Sequence, residues 1–301
     1  MPLLASRRLL PGALAALALA AAALLAAAAS TRAAAPQRVT VIGDSIATAV
    51  EYDATARAVL GQGVDLRLEL APCRRIAPDS CPYAGTRPPT LLDLVQRLGP
   101  ALGPTVVVAV GYNDFEQAYA DDIELALAAL RKAGVARVLW LTLRAERHSY
   151  LDMNEMIRAA AARHPELTVV DWNLYSRSHP DWFQPDGLHL TAAGAQAMAT
   201  LVHRALADLG VAPPPPAVAS RRLPPARVGR PYRARLVARG GTRPYAWASV
   251  AGPLPAGLHL RAGGLIVGRP RQAGVFSLVV RVTDASRATA SRRVSLRVLA
   301  S

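Results

Sequence analysis

The chain has 301 residues, of which 52% are hydrophobic, so it is long and apolar enough to bury a full core in one large domain or two smaller ones. Its formal net charge of +14 is unevenly placed, because 16 arginines and a single acidic residue follow position 212, whereas residues 31–212 are close to neutral. Alanine and arginine enrichment of this kind can reflect a GC-rich genome, so the charge does not indicate nucleic-acid binding, and no nucleic-acid partner is expected.

The first residues have the features of an export signal. Arg7 and Arg8 precede an apolar stretch at 9–29, and the small residues at 28–30 offer a cleavage site. Residues 1–30 are therefore predicted to be a signal peptide. An uncleaved membrane anchor is the alternative, since about 20 apolar residues can span a bilayer. In both cases we expect the rest of the chain to be secreted or displayed on the cell surface.

The chain contains two cysteines, Cys73 and Cys81. In a protein outside the cytoplasm, an isolated pair eight positions apart predicts a disulfide. Closing so short a loop would stabilise the fold by roughly 2–3 kcal/mol. No histidine lies near either cysteine in the sequence, so a metal site is not expected.

Residues 31–210 alternate short apolar strands with helical segments rich in alanine and leucine. The predicted strands are 39–42, 64–70, 106–110, 137–141 and 168–170, and the predicted helices are 91–98, 121–133, 152–163 and 192–209. This alternation predicts an α/β fold in which helices cover both faces of a parallel sheet. Ligands of such sheets bind beyond the carboxyl ends of the strands. Ser45 follows the first strand and Asn113 the third, so both are expected at one rim of the sheet.

A run of prolines at 213–216 interrupts this pattern and predicts a semi-rigid linker over 211–219. Beyond the linker, apolar residues recur with a period of two. Strands are predicted at 232–238, 245–250, 275–283 and 288–299, separated by turns rich in glycine and proline. Residues 220–301 are therefore predicted to form a small all-β domain.

Three polar motifs lie where the α/β fold would present them. The first strand runs into Gly-Asp-Ser, ending at Ser45, and a serine becomes a nucleophile when a base and a partner for that base are near. His189 differs from the other five histidines in following Asp186 by three residues, with Gly187 allowing a tight turn between them. Asn113 follows a buried strand, where its carboxamide could donate to an oxyanion. Each motif alone also has a structural explanation, as a strand-to-helix turn, a chance spacing or a turn cap.

Together, GDS after the first strand, GYND after a middle strand and DGLH before the last helix resemble the SGNH hydrolases, also called the GDSL family, over residues 38–209. The resemblance implies a three-layer, flavodoxin-like α/β domain. It implies that Ser45 is the nucleophile, that His189 is its general base and that Asp186 orients the imidazole. Asn113 and the Ser45 backbone N–H would donate to the oxyanion, and a helix start suits an anion.

The loop after the second strand departs from the family pattern. The family offers a glycine N–H there, whereas residues 71–76 contain no glycine. The backbone N–H of Arg74 is assigned as the replacement donor, with that of Arg75 as the alternative, since any non-proline residue has one. A bridge between Cys73 and Cys81 would hold the loop. Two other interpretations stay open: the arginines bind an anionic substrate, or they are ordinary surface residues.

The resemblance implies an exported serine esterase that hydrolyses acyl esters through an acyl-serine, with O-acyl groups on glycans or lipids as candidate substrates. No cofactor and no metal are implied. The first alternative is an acyltransferase that uses the same serine to modify an extracytoplasmic glycan. The second is a catalytically degenerate surface binding protein, which the intact motifs argue against and the missing loop glycine favours.

The tail carries the series PYAW at 244–247, LPAGL at 254–258 and GLIVGRP at 264–270. It resembles the immunoglobulin-like domains of bacterial surface and secreted proteins, which are cadherin-like β-sandwiches. Trp247 is expected to fill the sandwich core, with a carbohydrate platform as the alternative. The positive charge suggests attraction to an anionic cell-wall polymer or to lipid headgroups, and an inert spacer with a biased composition is the alternative.

Overall fold

The computed structural model of the chain describes residues 36–285 and 287–300. The predicted signal peptide at 1–30 lies outside these described residues. Within the two described ranges, no helix has the combination of length and apolar character that a membrane span needs.

A five-stranded parallel sheet forms the centre of the first domain. Its strands are β1 (Arg38–Gly43), β2 (Asp65–Leu70), β3 (Thr105–Ala109), β4 (Arg137–Leu141) and β5 (Leu167–Val170). Their order is β2-β1-β3-β4-β5, so the chain reverses its direction across the sheet at β1. Such a switch point opens a crevice at the carboxyl ends of the strands. The predicted parallel sheet is confirmed, and the turns after β1 and β3 lie side by side.

Helices cover both faces of this sheet. They are α1 (Ser45–Tyr52), α2 (Ala54–Leu60), α3 (Leu91–Leu98), α4 (Glu116–Lys132), α5 (His148–Arg163), α6 (Trp172–Ser176) and α7 (Ala192–Asp208), with short 3₁₀ turns at Gly99–Leu102 and Pro180–Trp182. Successive strand residues face opposite layers. Val107 of β3 accordingly packs with α1, α2 and α7, whereas Val106 and Val108 pack with α3, α4 and α5. The three-layer architecture implied by the sequence is therefore confirmed.

Two helices begin earlier than predicted. Helix α4 begins at Glu116 rather than at 121, and α5 begins at His148 rather than at 152. A tyrosine in the first turn of each helix is buried, Tyr119 in α4 and Tyr150 in α5. Tyrosine is a weak helix former, so tertiary burial rather than local propensity extends these helices. His148 is therefore the first residue of a helix.

The second domain is a β-sandwich. Its strands are β6 (Ala217–Val218), β7 (Ala226–Arg227), β8 (Tyr232–Arg235), β9 (Ala238–Arg239), β10 (Ala246–Ala251), β11 (Leu258–Leu260), β12 (Leu265–Gly268), β13 (Gly274–Thr283) and β14 (Thr289–Leu299). They pair as β10-β13-β14-β7, β11-β12-β8 and β6-β9. Trp247 is 7% exposed and packs in the core with Ile266, Leu278 and Val294, as expected from the sequence. The β-rich, immunoglobulin-like character of the tail is confirmed.

Hydrogen bonds from both sides hold the proline run that joins the domains. His203 Nε2 of α7 lies 3.0 Å from the carbonyl oxygen of Pro213. On the sandwich side, the Gly241 N–H donates to the Pro214 carbonyl. Next to the run, the Gln62 side-chain amide donates to the Asp284 carboxylate. These contacts join the run to both domains, so it is packed rather than freely solvated.

Gly43 ends β1 at a point where α1 lies directly against the strand. A Cβ atom at Gly43 would lie 2.5 Å from Ala47 Cβ and 2.9 Å from Leu70 Cδ2. We expect Gly43→Ala to lower the free energy of unfolding by about 1–3 kcal/mol, as overpacking does. Thermal unfolding followed by circular dichroism measures this change. Gly263→Ala is the matched control, because no heavy atom lies near a Cβ at Gly263. Equal unfolding midpoints for the two variants would contradict the prediction.

Candidate active site

The serine turn is fixed by a buried carboxylate. Asp44 is the N-cap of α1, and its Oδ1 accepts from the Ile46 N–H at 3.1 Å. Its Oδ2 accepts from the Tyr112 N–H at 3.3 Å, in the turn after β3. An aspartate N-cap satisfies one of the backbone donors that a helix start leaves unpaired. Ser45 is thereby held as the first residue of α1, with its backbone N–H at the positive end of the helix.

Ser45, His189 and Asp186 form a continuous chain of hydrogen bonds. His189 Nε2 lies 3.1 Å from Ser45 Oγ, and His189 Nδ1 lies 2.7 Å from Asp186 Oδ2. The contact with a carboxylate favours a proton on Nδ1, so Nε2 offers its lone pair to the serine hydroxyl. The structure thus brings together the three residues that the sequence singled out as nucleophile, base and orienting acid.

Asp186 remains ionised across the ordinary pH range. The hydrogen bond with His189 lowers the pKa of this carboxyl to about 2, and the backbone N–H groups of Leu188 and His189 reinforce the effect. Both N–H groups donate to Asp186 Oδ1 at 2.9 Å. Gly187, between Asp186 and Leu188, has φ +71°, a conformation that glycine adopts without strain. The short D-G-L-H turn therefore orients the imidazole locally.

The histidine turn is anchored to the helix that follows it. Thr191 is the N-cap of α7, and its N–H donates to the Trp182 carbonyl at 2.9 Å. Gly194 passes so close that a Cβ there would lie 2.1 Å from the same carbonyl oxygen. The Gln184 N–H donates to the His189 carbonyl at 2.7 Å. These backbone contacts hold the turn that places His189 next to Ser45.

Asn113 contacts the loop that the sequence proposed as the oxyanion loop. Its Nδ2 donates to the Arg74 carbonyl at 3.4 Å, and the Arg75 Nε donates to the Asn113 carbonyl at 2.5 Å. The Ile76 N–H donates to Asp114 Oδ1 at 2.8 Å. The loop is thus tied to the GYND turn at three points. A carboxamide has two N–H donors, so Asn113 retains one that the Arg74 contact does not use.

Of the two arginines, Arg74 is the better candidate for a backbone N–H that could donate to an oxyanion. The Arg75 N–H donates to Ser80 Oγ at 3.3 Å, so that candidate donor is occupied. The Arg75 guanidinium lies 4.2 Å from the centre of the Phe115 ring, which it covers. Arg75 is therefore engaged by the protein at both ends.

The side chain of Arg74 is not a surface group. Arg74 is 3% exposed, and its Nε and Nη1 have no hydrogen-bond partner among the described residues. Burial lowers the pKa of this guanidinium to about 10. The interpretation of Arg74 as an ordinary surface residue was therefore wrong.

A disulfide closes the same loop. Cys73 and Cys81 are bonded, and the Cys81 N–H donates to the Cys73 carbonyl at 3.1 Å. Cys73 has φ +63°, in the left-handed region, so the loop reverses there. Arg74 directly follows Cys73, so the disulfide restrains the position of the Arg74 backbone N–H. A disulfide also fits an exported protein.

Sequence reasoning missed two carboxylates, the fully buried Asp44 and the half-buried Asp114. Burial raises the pKa of Asp44 to about 6 and that of Asp114 to about 7. The available signal was their place in GDS and GYND, the turns that follow the buried strands β1 and β3. Both accept backbone N–H groups, and both join separate segments of the site rather than facing a reacting atom.

The serine and histidine open onto a shallow cleft of about 380 Å³. Besides Ser45 and His189, its walls include Thr48, Ala49 and Leu190. The side chains of His189 and Asp186 are 40% and 48% exposed, so water reaches the base directly.

Two family models match the chain. The model described as "GDSL-like Lipase/Acylhydrolase family" matches residues 41–197, and the model described as "Putative Ig domain" matches residues 215–299. The first match covers just over half of the chain and contains all three hydrogen-bonded site residues.

The curated relatives are bacterial O-acetyltransferases by name. "Putative O-acetyltransferase SAS0844" of Staphylococcus aureus (strain MSSA476) is 32% identical over 102 residues, which are 34% of this chain and 16% of that protein. "Peptidoglycan O-acetyltransferase OatA" of Listeria monocytogenes is 42% identical over 67 residues, 22% of this chain and 11% of that protein. The chain thus spans only a small part of the length of these relatives.

Two solved structures are similar to the chain at lower sequence identity. The C-terminal catalytic domain of Streptococcus pneumoniae peptidoglycan O-acetyltransferase A is 20% identical with a TM-score of 0.46, covering 59% of this chain and 96% of that domain. A putative arylesterase from Agrobacterium tumefaciens str. C58 is 15% identical with a TM-score of 0.47, covering 57% of this chain and 99% of that one.

The disulfide is expected to matter for turnover. In Cys73→Ser/Cys81→Ser the loop loses its restraint, so the Arg74 N–H and the contact of Asn113 with Arg74 should lose their alignment. We expect kcat for p-nitrophenyl acetate to fall by about tenfold or more, since a lost oxyanion donor costs about 10²–10³ in rate, with KM little changed. The assay is run well below the unfolding midpoint of the variant. An unchanged kcat would show that the bridge does not position the oxyanion loop.

Asp114 should make stability depend on pH. The folded state raises the pKa of this acid from 3.8 to about 7 because it is buried near Asp44 and Asp122, so folding favours the protonated form. The wild type should therefore lose stability as the pH rises from about 4 to about 7, the range between the pKa values of the unfolded and folded states. Asp114→Asn keeps an acceptor for the Ile76 N–H and removes the buried charge. Between about pH 5 and about pH 8, we expect the free energy of unfolding of Asp114→Asn to decrease by about 1–3 kcal/mol less than that of the wild type. Urea unfolding at each pH measures both values. Parallel pH profiles for the two proteins would contradict this.

Proposed function

The chain belongs to the GDSL-like lipase/acylhydrolase family, and we propose that it is an exported acyl-transfer enzyme that forms an acyl-serine at Ser45. The acyl group then passes to a hydroxyl of a cell-wall glycan, with water as the competing acceptor. The observation that carries this proposal is the hydrogen-bond chain from Ser45 Oγ through His189 to Asp186.

In the first step, Ser45 Oγ attacks the carbonyl carbon of an acyl ester while His189 Nε2 takes the hydroxyl proton. The tetrahedral intermediate collapses, the bond to the alcohol breaks, and the imidazolium returns the proton to the departing alkoxide. In the second step an acceptor hydroxyl gives its proton to His189 and attacks the acyl-serine, and Ser45 recovers its proton. The two steps move the acyl group without any net change in protons or electrons.

Charge stabilisation supports the same chemistry. The ionised Asp186 stabilises the imidazolium that forms at His189, and its low pKa keeps it ionised throughout the reaction. The developing oxyanion has three candidate donors: the N–H of Ser45, Nδ2 of Asn113 and the N–H of Arg74. Each donor of this kind contributes about 2.7–4 kcal/mol to transition-state stabilisation.

Two acceptors compete at the acyl-serine. The names of the curated relatives favour transfer to a glycan hydroxyl. These relatives are named O-acetyltransferases, and those from Bacillus subtilis and Listeria monocytogenes are named peptidoglycan O-acetyltransferases. The exposure of His189 and Asp186 favours hydrolysis, because an enzyme that must exclude water would shield its base. Hydrolysis of O-acyl groups on glycans or lipids is therefore the second candidate. The intact hydrogen-bond chain argues against a degenerate binding protein.

The partition between acceptors tests the proposal. The purified chain is given p-nitrophenyl acetate, butyrate and octanoate, with and without a chito-oligosaccharide acceptor. Release of p-nitrophenol reports formation of the acyl-enzyme, and mass spectrometry of the oligosaccharide reports transfer. A transferase yields acetylated oligosaccharide and a faster release when acceptor is added, whereas a hydrolase yields free acetate at an unchanged rate. The ratio of the three rates measures which acyl length the cleft prefers.

Two variants control this experiment. Ser45→Ala should abolish both readouts, and Ser178→Ala, at an exposed serine outside the site, should change neither. Turnover that survives in Ser45→Ala would contradict the acyl-serine mechanism. Absence of turnover in the wild type, for every ester and with or without acceptor, would contradict the assignment as an enzyme.

A further inference from the structure

The β-sandwich has a cleft of its own, which we call the arginine cleft. Its volume is about 580 Å³. The side chains that matter for its chemistry are Arg235, Arg243, Tyr245 and Trp247, with Gly263 at one edge. It belongs to the immunoglobulin-like domain and shares no residue with the cleft at Ser45.

Intramolecular contacts hold the two arginines of the arginine cleft, Arg235 and Arg243, in place. Arg235 ends β8, and its Nη1 donates to the Gly263 carbonyl at 3.2 Å. A guanidinium has five N–H donors, so this bond fixes the group without exhausting it. Arg243 lies with its guanidinium carbon 5.5 Å from the centre of the Tyr245 ring, within range of a cation–π contact. The Tyr245 hydroxyl donates to the Gly240 carbonyl, which fixes that ring.

Trp247 forms the floor of the arginine cleft. The residue is 7% exposed, so most of the indole belongs to the sandwich core. Its Cδ1 and Nε1 edge lies against Gly264, where a Cβ would come within 2.7 Å of either atom. Gly264 therefore keeps a side chain away from the indole edge. Aromatic surface thus lies beside two guanidinium groups.

The charge of these arginines is not balanced within the domain. After residue 212 the sequence has 16 arginines and one acid, Asp284. Asp284 is 4% exposed and accepts hydrogen bonds from the Thr242 and Ala288 N–H groups and from Gln62. Among the ion pairs of the described residues, none contains Arg235 or Arg243. Two exposed guanidinium groups in a concave site form a recognition site for an anion.

We propose that the arginine cleft binds an acidic pyranose, a sugar ring with a carboxylate, in a cell-envelope glycan. The carboxylate matches the planar fork of Arg235 or Arg243, which can grip it through two parallel hydrogen bonds. The ring then packs on Tyr245 and on the part of Trp247 that lines the cleft. This binding goes beyond the proposed acyl transfer and does not require Ser45 to be a nucleophile.

Binding is tested on the full chain carrying Ser45→Ala, so that no ester in the probe is hydrolysed. The probes are oligogalacturonate, which has a carboxylate on each ring, and the same oligomer fully methyl-esterified, which keeps the rings and loses the charge. Isothermal titration measures affinity. We expect the acid oligomer to bind at least about tenfold more tightly than its ester.

Substitutions separate a built site from diffuse attraction. Arg235→Gln/Arg243→Gln should weaken binding of the acid oligomer by about tenfold or more. Arg230→Gln/Arg281→Gln removes the same charge from exposed positions outside the arginine cleft and should weaken it by less than about threefold. Tyr245→Leu tests the contact with the ring, and we expect a loss of about fivefold or more. Thermal unfolding checks that each variant is folded.

Three results would overturn the proposal. The first is equal weakening by the two double variants, which would mean general electrostatic attraction. The second is equal affinity for the acid oligomer and its ester. The third is binding of inorganic polyphosphate as tight as that of the acid oligomer, with Tyr245→Leu neutral for both, which would mean that the domain recognises polyanions without a sugar ring.

Discussion

The structure depends on the hydrogen bonds that a buried carboxylate, Asp44, accepts from two segments of the chain. One of its oxygens accepts from the Ile46 N–H and thereby starts α1 at Ser45. The other accepts from the Tyr112 N–H and ties the serine turn to the turn after β3, where Asn113 lies. A buried charge without partners would be unfavourable, so these bonds are the condition for its burial. Because burial raises the pKa of Asp44 to about 6, the two turns share one group that ionises near neutral pH.

Each of the other site segments is positioned by its own local device. The histidine turn is closed by Asp186 and by the N-cap of α7, and the oxyanion loop is closed by the disulfide and by Asp114. The sheet brings the turns after β1, β2 and β3 together, because these three strands are neighbours and parallel. Its switch point at β1 does so, because the crevice there is where the chain reverses its direction across the sheet. Rigid local turns on a rigid sheet fit chemistry that requires alignment within about 0.5 Å.

The sequence was sufficient to predict the sheet and to name Ser45, Asp186 and His189, because strand–turn motifs are local and the D-G-L-H turn closes within four residues. Burial of Arg74 could not be predicted, since it results from packing of a loop without regular structure. Strands β6, β7 and β9 have two residues each, too few to show a period. The arginine cleft was equally inaccessible, because Arg235, Arg243 and Gly263 meet only after β8, β10 and β12 have paired in two different sheets.

If His189 activates Ser45 as a nucleophile, covalent trapping of Ser45 should depend on His189. The chain is treated with phenylmethanesulfonyl fluoride, and the adduct is located by peptide mass spectrometry in the wild type and in His189→Gln, which keeps the serine. We expect one sulfonyl group per chain, on Ser45, and a rate of labelling that falls by at least about 10² when the base is removed. Labelling of Ser45 at the same rate in both proteins, or an adduct only on other serines, would contradict it.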